Sequence, residues 1–346
     1  MSVERHPFGT TKDGREVDVF TLRCGAMEAE ILTYGGIVRT LRAPDKNGQS
    51  VDVVLGYDSV AGYEENDGYV GALVGRYANR IQNANAIIDG ANITLDANEG
   101  IKQLHGGPDG FSFKVFKAEI AGESAVRLIY TAADGEGGFP GTLTLAATYT
   151  LTENALILRY EAESDKPTYC NITNHSYFNL NGCGDVLGHT LWLNASRFTP
   201  IDADSIPIAL STGVAGTAFD FTVPTTIGQD VLDNEAQLRL AKGYDHNFIL
   251  NEGQGMRLAA RLEGEISGIV METWTEKPGV QVYSANYLDA ERHTKSGAPY
   301  RKRDALCLET QFFPDSPNHP EWGDIILRPG KRYDYTTDYR FFAERP

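Results

Sequence analysis

The first candidate for acid–base chemistry is His175, which lies at the centre of the stretch Asn171–Leu180. Hydroxyl, amide and aromatic side chains fill this stretch, and it contains no charged residue. An unperturbed imidazole titrates at about 6.5, so His175 can exchange a proton near neutral pH. Short polar side chains on both sides suit hydrogen bonding to a polyhydroxylated ligand. The alternative is a buried histidine that is satisfied by neighbouring Ser and Asn side chains.

The second candidate is Glu309, an acid inside the apolar run Leu306–Gln311. A buried carboxylate is unfavourable unless it is paired, and burial raises its pKa. That environment is typical of a general base. Strand alternation also allows the opposite interpretation, in which Glu309 points outward into solvent.

Two further segments carry groups that suit ligand binding. In the segment Gly71–Ile81, Asn79 is followed by Arg80, whose guanidinium offers a fixed fork of donors for hydroxyl pairs or a carboxylate. The same segment is also compatible with a core strand that has a snorkelling arginine. His105 lies on the glycine-rich loop Leu104–Phe111, and loops often carry functional side chains on rigid scaffolds.

Two polar residues later in the chain have less specific patterns. Asp245 stands next to His246, which allows an ion pair, a ligand-binding carboxylate or a capping network. Gln281 lies on the face of its strand opposite Val280 and Val282, where a lone glutamine is usually solvated.

A metal or cofactor site is not indicated. His105 and His175 could both be metal ligands, but the sequence has no HxH, HExxH or cysteine-rich partner set. It also has no Walker loop, GxGxxG fingerprint or GxSxG elbow. We therefore expect neither a metal ion nor an organic cofactor.

The elements that must position these residues are mostly strands. Alternating apolar positions predict strands at 17–24, 27–33, 37–41, 51–55, 143–151, 155–162, 256–262 and 333–341. The strands at 143–151 and 155–162 are expected to pair antiparallel, and the last strand to close the sheet. One short helix is predicted at 233–241 with Gly243 as its stop, and residues 199–230 read as long loops. Since no repeat, linker or composition break occurs, one all-β domain over 1–346 is predicted, built as a large antiparallel sandwich.

Composition narrows the class of ligand. The chain has 346 residues and a net charge of −16, which disfavours nucleic acid and anionic membranes as partners. A phosphorylated substrate is also less favoured than a neutral one. The cysteines are few and scattered, without a CxxC pair, which indicates reduced thiols. The first residues lack the apolar core of a signal peptide, so a cytoplasmic location is expected.

Six segments, taken in order, resemble the aldose 1-epimerase (galactose mutarotase) family. They are Gly75–Ile81, Leu104–Gly107, Thr173–Leu180, Gly243–Phe248, Pro278–Gln281 and Leu308–Gln311. The resemblance implies the large antiparallel β-sandwich of that family, a supersandwich with few short helices and a sugar cleft. Two departures from the family pattern are Phe116, where a tryptophan is expected, and 82–86, which replaces a more glycine-rich turn.

The resemblance also implies roles for individual residues. They are Glu309 as general base, His175 as general acid, His105 near the ring oxygen, Asn79 and Arg80 as sugar contacts, Asp245 and Gln281 as hydroxyl-binding groups, and Ser176 and Tyr177 as residues that shape the pocket of the acid.

The implied activity is interconversion of the α and β anomers of free aldohexoses such as galactose and glucose, in carbohydrate metabolism. An acid and a base on opposite sides of the sugar ring would open it, C1–C2 rotation would follow, and the ring would reclose without a cofactor. The partner is a neutral sugar, and the protein is expected to be a monomer or a homodimer. The alternatives are a hexose-6-phosphate 1-epimerase, a glycoside hydrolase that uses Asp245 and Glu309, and a non-catalytic sugar-binding β-sandwich.

Overall fold

The protein is represented by a computed structural model that describes residues 1–65 and 68–343. The strands in chain order are β1 Ser2–Thr10, β2 Glu16–Cys24, β3 Met27–Leu32, β4 Val38–Pro44, β5 Ser50–Asp52, β6 Leu73–Val74, β7 Arg80–Ile81, β8 Asn85–Ile88, β9 Ala91–Thr94, β10 Gln103–Leu104, β11 Lys117–Gly122, β12 Ala125–Ala132, β13 Leu143–Leu151, β14 Ala155–Ser164, β15 Thr168–Tyr169, β16 Thr173–Asn174, β17 Tyr177–Phe178, β18 Thr190–Leu193, β19 Arg197–Phe198, β20 Thr212–Gly213, β21 Thr225–Thr226, β22 Asp245–Ile249, β23 Arg257–Glu263, β24 Ile269–Thr275, β25 Gly279–Tyr283, β26 Leu306–Gln311, β27 Ile326–Leu327 and β28 Tyr333–Ala343.

Helical structure in the described ranges is short. The α-helices are α1 Val60–Glu65 and α2 Ala236–Ala241. Single 3₁₀ turns lie at Gln82–Ala84, Phe111–Phe113, Glu136–Gly138, Ile227–Gln229, Ser316–Asn318 and Pro320–Trp322. No helix among the described residues has both the length and the apolar character needed to cross a bilayer.

Three large sheets form the body of the fold. The first has the order β1-β2-β3-β4-β5, the second β11-β12-β13-β14-β28-β24-β23-β18-β21, and the third β17-β26-β25-β22-β19-β20. Neighbouring strands within each sheet are antiparallel. The predicted all-β antiparallel class is therefore confirmed.

Strand alternation from all three sheets supplies one continuous core. Leu22 of β2, Leu145 of β13, Val282 of β25 and Leu308 of β26 are all buried in the same cluster. Burying such a side chain contributes about 1.5–3 kcal/mol each. The core therefore fixes which face of the third sheet is apolar and leaves its other face for polar groups.

The predicted hairpin of 143–151 and 155–162 is confirmed, since β13 pairs antiparallel with β14 over its whole length. The last strand differs from the expectation that it closes the sheet. β28 lies in the interior of the nine-stranded sheet, between β14 and β24. Alternation shows which side chains share a face but carries no information on which strands are neighbours.

The helix predicted at 233–241 begins later than expected, at Ala236. Glu235 has extended backbone angles, and the amide of Asp233 closes a turn onto the carbonyl of Asp230. The helix ends as predicted at Ala241, and Lys242, the residue before the predicted stop Gly243, adopts the left-handed conformation that caps it. Strand β1 and helix α1 were not predicted, because β1 is mostly exposed and lacks an apolar alternation.

Candidate active site

The polar face of the third sheet forms the floor of the site. In its register, Asp245 of β22 faces Tyr283 of β25, while Gln281 faces Glu309 and Tyr283 faces Cys307 of β26. Residues that face each other across antiparallel strands share one face of the sheet. Since the alternate positions of these strands lie in the core, this face must carry the polar side chains.

His175 lies in the segment just before β17, at the edge of this floor. Its backbone amide donates to the carbonyl of Ala72 at 2.8 Å, and its carbonyl accepts from the amide of Gly71 at 2.9 Å. Its ring stacks against Tyr177, with centroids 5.1 Å apart, and against Tyr69, with centroids 6.1 Å apart. The backbone bonds and the two aromatic rings together fix the position of the imidazole.

His175 and Glu309 face each other, with Nε2 and Oε1 3.6 Å apart. They are 5% and 2% exposed, and Oε2 of Glu309 has no hydrogen-bond partner among the described residues. Burial lowers the pKa of His175 to about 4. Burial also raises the pKa of Glu309 well above its ordinary value, and the nearby Asp245 carboxylate adds to this rise. Burial therefore favours the neutral form of both groups.

His105 approaches the same point from the loop after β10. Its Nδ1 accepts from the backbone amide of Asn79 at 3.1 Å, and its own amide donates to the carbonyl of Asn79 at 3.2 Å. The neutral ring of His105 therefore carries its proton on Nε2. Both residues have positive φ angles, 54° for His105 and 68° for Asn79, a backbone conformation that is enriched at functional sites.

The loop that carries His105 packs against the segment of Asn79 too closely for a side chain at the next position. Gly106 has a φ of 91°, and a Cβ built there would lie 2.0 Å from the carbonyl oxygen of Gly75. Only glycine fits this position without moving the loop. The glycines noted in the sequence therefore set the position of His105.

A charged network borders the floor. Arg80 makes a two-pronged ion pair with Glu99, with donor–acceptor distances of 2.7 and 2.8 Å, and its third nitrogen lies 4.0 Å from Asp245. The other oxygen of Asp245 accepts from Gln281 Nε2 at 2.7 Å. Burial raises the pKa of Asp245, and the positive charge of Arg80 opposes that rise. The Arg80 guanidinium is therefore already held by carboxylates.

These groups line a cleft of about 430 Å³, within the size range of small-molecule sites. Its walls are formed by Gly68, Tyr69, Asn79, Arg80, Glu99, Lys102, Leu104, His105, His175, Tyr177, Ala203, Asp204, Ser205, Asp245, Tyr283, Tyr287, Leu288 and Glu309.

The cleft brings together most of the residues selected from the sequence, namely Asn79, Arg80, His105, His175, Tyr177, Asp245 and Glu309. Ser176 does not line it, because its hydroxyl turns inward and donates to Asn174 Oδ1 at 2.5 Å. Gln281 lies behind Asp245 and is buried rather than solvated. Ser176 and Gln281 therefore hold other residues in place through hydrogen bonds, and neither side chain lines the cleft.

Sequence reasoning missed several of the lining residues. Tyr283 follows Gln281 by two positions, so strand alternation could have placed it on the same face. Tyr69 and Tyr287 lie outside named strands and carry no pattern that would reveal them. Glu99 and Lys102 are ordinary charged residues in the sequence. Only the folded structure shows that they lie near Arg80 in the wall of the cleft.

The Asp245–His246 neighbours do not form an ion pair. The ring of His246 is on the opposite side of β22, where its Nε2 donates to the side-chain oxygen of Gln237 at 3.2 Å. Its Nδ1 accepts from the backbone amide of Asp245 at 3.2 Å. Asp245 is thus left to face the cleft.

One cluster of donor atoms tests the metal interpretation. One atom each from His105, His175 and Glu309 lie within 4.8 Å of one another. A metal ligand must present a lone pair, but Nε2 of His105 carries the proton because Nδ1 accepts from the amide of Asn79. The trio therefore suits hydrogen bonding and proton exchange better than metal ligation.

Comparison with known proteins gives consistent matches over almost the whole chain. Residues 18–340 match the family model described as Aldose 1-epimerase. A galactose mutarotase from Rattus norvegicus is 38% identical over 344 residues, 99% of each chain, and an aldose 1-epimerase from Escherichia coli strain K12 is 38% identical over 338 residues, 96% of this chain and 97% of that one. The crystal structure of a galactose 1-epimerase from Lactobacillus acidophilus is similar at a TM-score of 0.86, with 27% identity and 99% of each chain covered.

Proposed function

This chain belongs to the aldose 1-epimerase family, and we propose that it interconverts the α and β anomers of free aldohexoses with His175 and Glu309 as the proton-exchanging pair. The family predicted from six sequence segments is confirmed by these matches. The observation that carries the assignment of the pair is the 3.6 Å contact between Nε2 and Oε1 inside a cleft of about 430 Å³.

The reaction needs one base and one acid. Glu309 takes the proton of the C1 hydroxyl while His175 gives its Nε2 proton to the ring oxygen. The electrons of the O–H bond form the aldehyde C=O, and those of the C1–O5 bond leave with the protonated ring oxygen. Rotation about C1–C2 exposes the other face of the aldehyde, and the two groups work in reverse to close the ring.

The short contact between the pair determines where the sugar binds. A separation of 3.6 Å leaves no room for a sugar ring between His175 and Glu309. The C1 hydroxyl and the ring oxygen are bonded to the same carbon, so groups that exchange protons with them must themselves be neighbours. The proposal therefore has both groups on one side of C1, rather than on opposite sides of the ring as we expected from the sequence.

The remaining polar groups of the cleft orient the sugar. The Nε2–H of His105 is fixed as a donor, and this suits a hydrogen bond to the ring oxygen beside the acid. Asn79 and Asp245 offer an amide and a carboxylate to sugar hydroxyls. Tyr177 and Tyr283 contribute ring surface for the apolar C–H face of the sugar. All of these groups belong to one chain, so the proposed reaction is compatible with a monomer and with a homodimer.

The charges of the cleft favour a neutral aldose such as galactose or glucose. The charged lining residues are the cations Arg80 and Lys102 and the acids Glu99, Asp204, Asp245 and Glu309. Both cations are occupied: Arg80 by Glu99, and Lys102 by the backbone oxygen of Asp204 at 2.7 Å. Among the described lining residues, a phosphate would therefore find carboxylates in excess and both cations already engaged, which disfavours the hexose-6-phosphate alternative.

Polarimetry of freshly dissolved α-galactose and α-glucose tests the assignment. We expect Glu309→Gln and His175→Asn each to lower kcat/KM by about 10²–10⁴-fold. Glu161→Gln and His189→Asn are matched controls, because both residues are buried but neither lines the cleft. The assignment of a residue is wrong if its variant, folded by circular dichroism, keeps the wild-type rate.

The same preparation separates the rival activities. Equal or faster mutarotation of glucose 6-phosphate would favour the phosphate-specific enzyme. Release of sugar from an alkyl glycoside would favour a glycoside hydrolase. Sugar binding without faster mutarotation would favour the non-catalytic sugar-binding β-sandwich.

A further inference from the structure

We propose that Cys307 is a positioning residue of the reaction: its Sγ accepts the Nδ1–H of His175 and so holds the imidazole with Nε2 toward Glu309 and the cleft. This inference rests on the proposed role of His175 as the acid. It adds a residue that neither the sequence motifs nor the cleft lining had singled out.

The geometry comes from one strand. Cys307 and Glu309 are two positions apart on β26, so their side chains leave the same face about 6.8 Å apart along the strand. The imidazole of His175 lies across both. Its Nδ1 is 3.5 Å from Cys307 Sγ, and its Nε2 is 3.6 Å from Glu309 Oε1.

The other side chains around the ring do not provide an alternative partner for Nδ1. Burial lowers the pKa of His175, and a hydrogen bond of the ring to the backbone of His175 itself partly opposes this. The groups that face His175 are Glu309 and Cys307 from β26, Tyr177 from β17, Tyr283 from β25, and His105 and Tyr69 from loops. The three tyrosines and His105 meet the imidazole as ring-to-ring contacts. Among the described side chains, Cys307 Sγ is the hydrogen-bonding partner of Nδ1.

Proton accounting then determines the direction of the bond. An imidazolium carries protons on both nitrogens, and when Nε2 gives its proton to the ring oxygen, the Nδ1 proton remains. Nδ1–H therefore needs an acceptor before and after the transfer, and a thiol sulfur is a weak acceptor. Burial raises the pKa of Cys307 well above its ordinary value, so the sulfur stays an uncharged thiol.

A weak, neutral acceptor has a consequence for the strength of the acid. In a Ser-His-Asp triad, a carboxylate behind the imidazole stabilises the imidazolium. Cys307 orients the ring of His175 without that stabilisation, so the proton is transferred more readily to a sugar oxygen, which is a poor base.

Three variants test this role. Cys307→Ala removes the acceptor and is expected to lower kcat about tenfold, the factor of a typical single hydrogen bond, with KM nearly unchanged. Cys307→Ser restores a stronger oxygen acceptor, so it should retain activity and move the acidic limb of the kcat–pH profile to higher pH. Cys24→Ala removes an equally buried thiol of the core and is the control that should change neither.

A spectroscopic measurement on the free wild-type protein is independent of activity. With ¹⁵N-labelled histidine, we expect the neutral His175 to carry its proton on Nδ1, and the corresponding signal to change in Cys307→Ala but not in Cys24→Ala. A proton on Nε2 with a bare Nδ1, or a Cys307→Ser profile identical to that of the wild type, overturns the inference. If Cys307→Ala does not fold, Cys307→Ser and the wild-type spectrum still decide. Full activity of His175→Asn would instead refute the acid assignment and leave the Nδ1 contact to be judged by the spectrum.

Discussion

Replacing Glu309 with glutamine is expected to abolish most activity and, at the same time, to stabilise the fold at neutral pH. The carboxyl group is 2% exposed, and its Oε2 has no hydrogen-bond partner among the described residues. A catalytic base held in this environment is unfavourable for folding. Glutamine has nearly the same shape but cannot ionise, so it removes both the base and the unfavourable ionisation.

The raised pKa of Glu309 determines whether the substitution stabilises or destabilises the fold at a given pH. Burial raises the pKa of Glu309 well above its ordinary value of 4.5, so the folded protein binds this proton more tightly than the unfolded chain. Between pH 4.5 and the raised pKa, the folded state holds more protons, and the free energy of unfolding decreases as pH rises. Below this window the carboxyl is protonated in both states and the difference disappears.

The magnitude follows from the pKa shift, because the glutamine side chain is itself a buried polar group and differs from the acid only in that it cannot ionise. Each unit by which a pKa is raised on folding corresponds to about 1.4 kcal/mol. Since the pKa of Glu309 is raised well above its ordinary value, we expect the glutamine variant to have a free energy of unfolding at least about 1 kcal/mol higher than the wild type at pH 7.5. Near pH 4.5, the two proteins should be almost equally stable.

Urea unfolding followed by tryptophan fluorescence at both pH values measures this difference, and polarimetry measures the activity of the same samples. Glu161→Gln is the control, because Glu161 is also buried but lies among Arg159, Arg332 and Arg127. That variant should lose stability at pH 7.5 and keep its activity.

Two outcomes would refute the reasoning about Glu309. If the glutamine variant loses the same stability at pH 4.5 and 7.5, the carboxylate makes a favourable contact that the structure does not contain. If it keeps kcat/KM within tenfold of the wild type, Glu309 is not the base, whatever its effect on stability.

Three further predictions concern His175 and the residues around the pair. Because burial lowers the pKa of His175 to about 4, kcat/KM should fall below about pH 4, where an additional proton enters the pair. Polarimetry measures this fall, and circular dichroism checks that the protein stays folded. Asp245→Asn should raise KM about 10–100-fold, the usual effect of losing a charged hydrogen bond, with a smaller change in kcat in the same assay. Gly106→Ala should lower both Tm and kcat, since its Cβ would clash with a backbone carbonyl beside His105, whereas Gly135→Ala, with a similar φ of 89° and open space around its Cβ, should affect only Tm.

Alternation of apolar residues was sufficient to predict the β class and the hairpin of β13 and β14. It did not predict three sheets or the interior place of β28. The pattern reports which side of a strand is buried, and both sides of β25 and β26 are buried. Strand order depends on contacts between residues that are distant in sequence, and a single sequence does not display those contacts.

Only some residues of the candidate site could be predicted from the sequence, for a similar reason. His175 and Glu309 were selectable because their types are unusual for their surroundings, an imidazole among short polar residues and an acid within an apolar strand. Tyr69 and Lys102 are ordinary residues for loops, and only the fold brings them to the cleft. In the sequence Cys307 is one of four scattered cysteines, although its spacing of two from Glu309 on a strand places both side chains on one face.

Burial explains why His175, the acid, has a low pKa while Glu309, the base, has a high pKa. Burial favours neutral His175 and neutral Glu309, and together these hold two protons, one on Nδ1 and one on the carboxyl group. The ionic pair that starts ring opening also holds two protons, both of them on the imidazolium. The resting and reactive forms therefore differ by the position of a proton between atoms 3.6 Å apart, and not by exchange with solvent. The sugar's C1 hydroxyl and ring oxygen both hydrogen-bond to the ionic form, so binding shifts the equilibrium toward it, and activity should be insensitive to pH between the two pKa values of the pair.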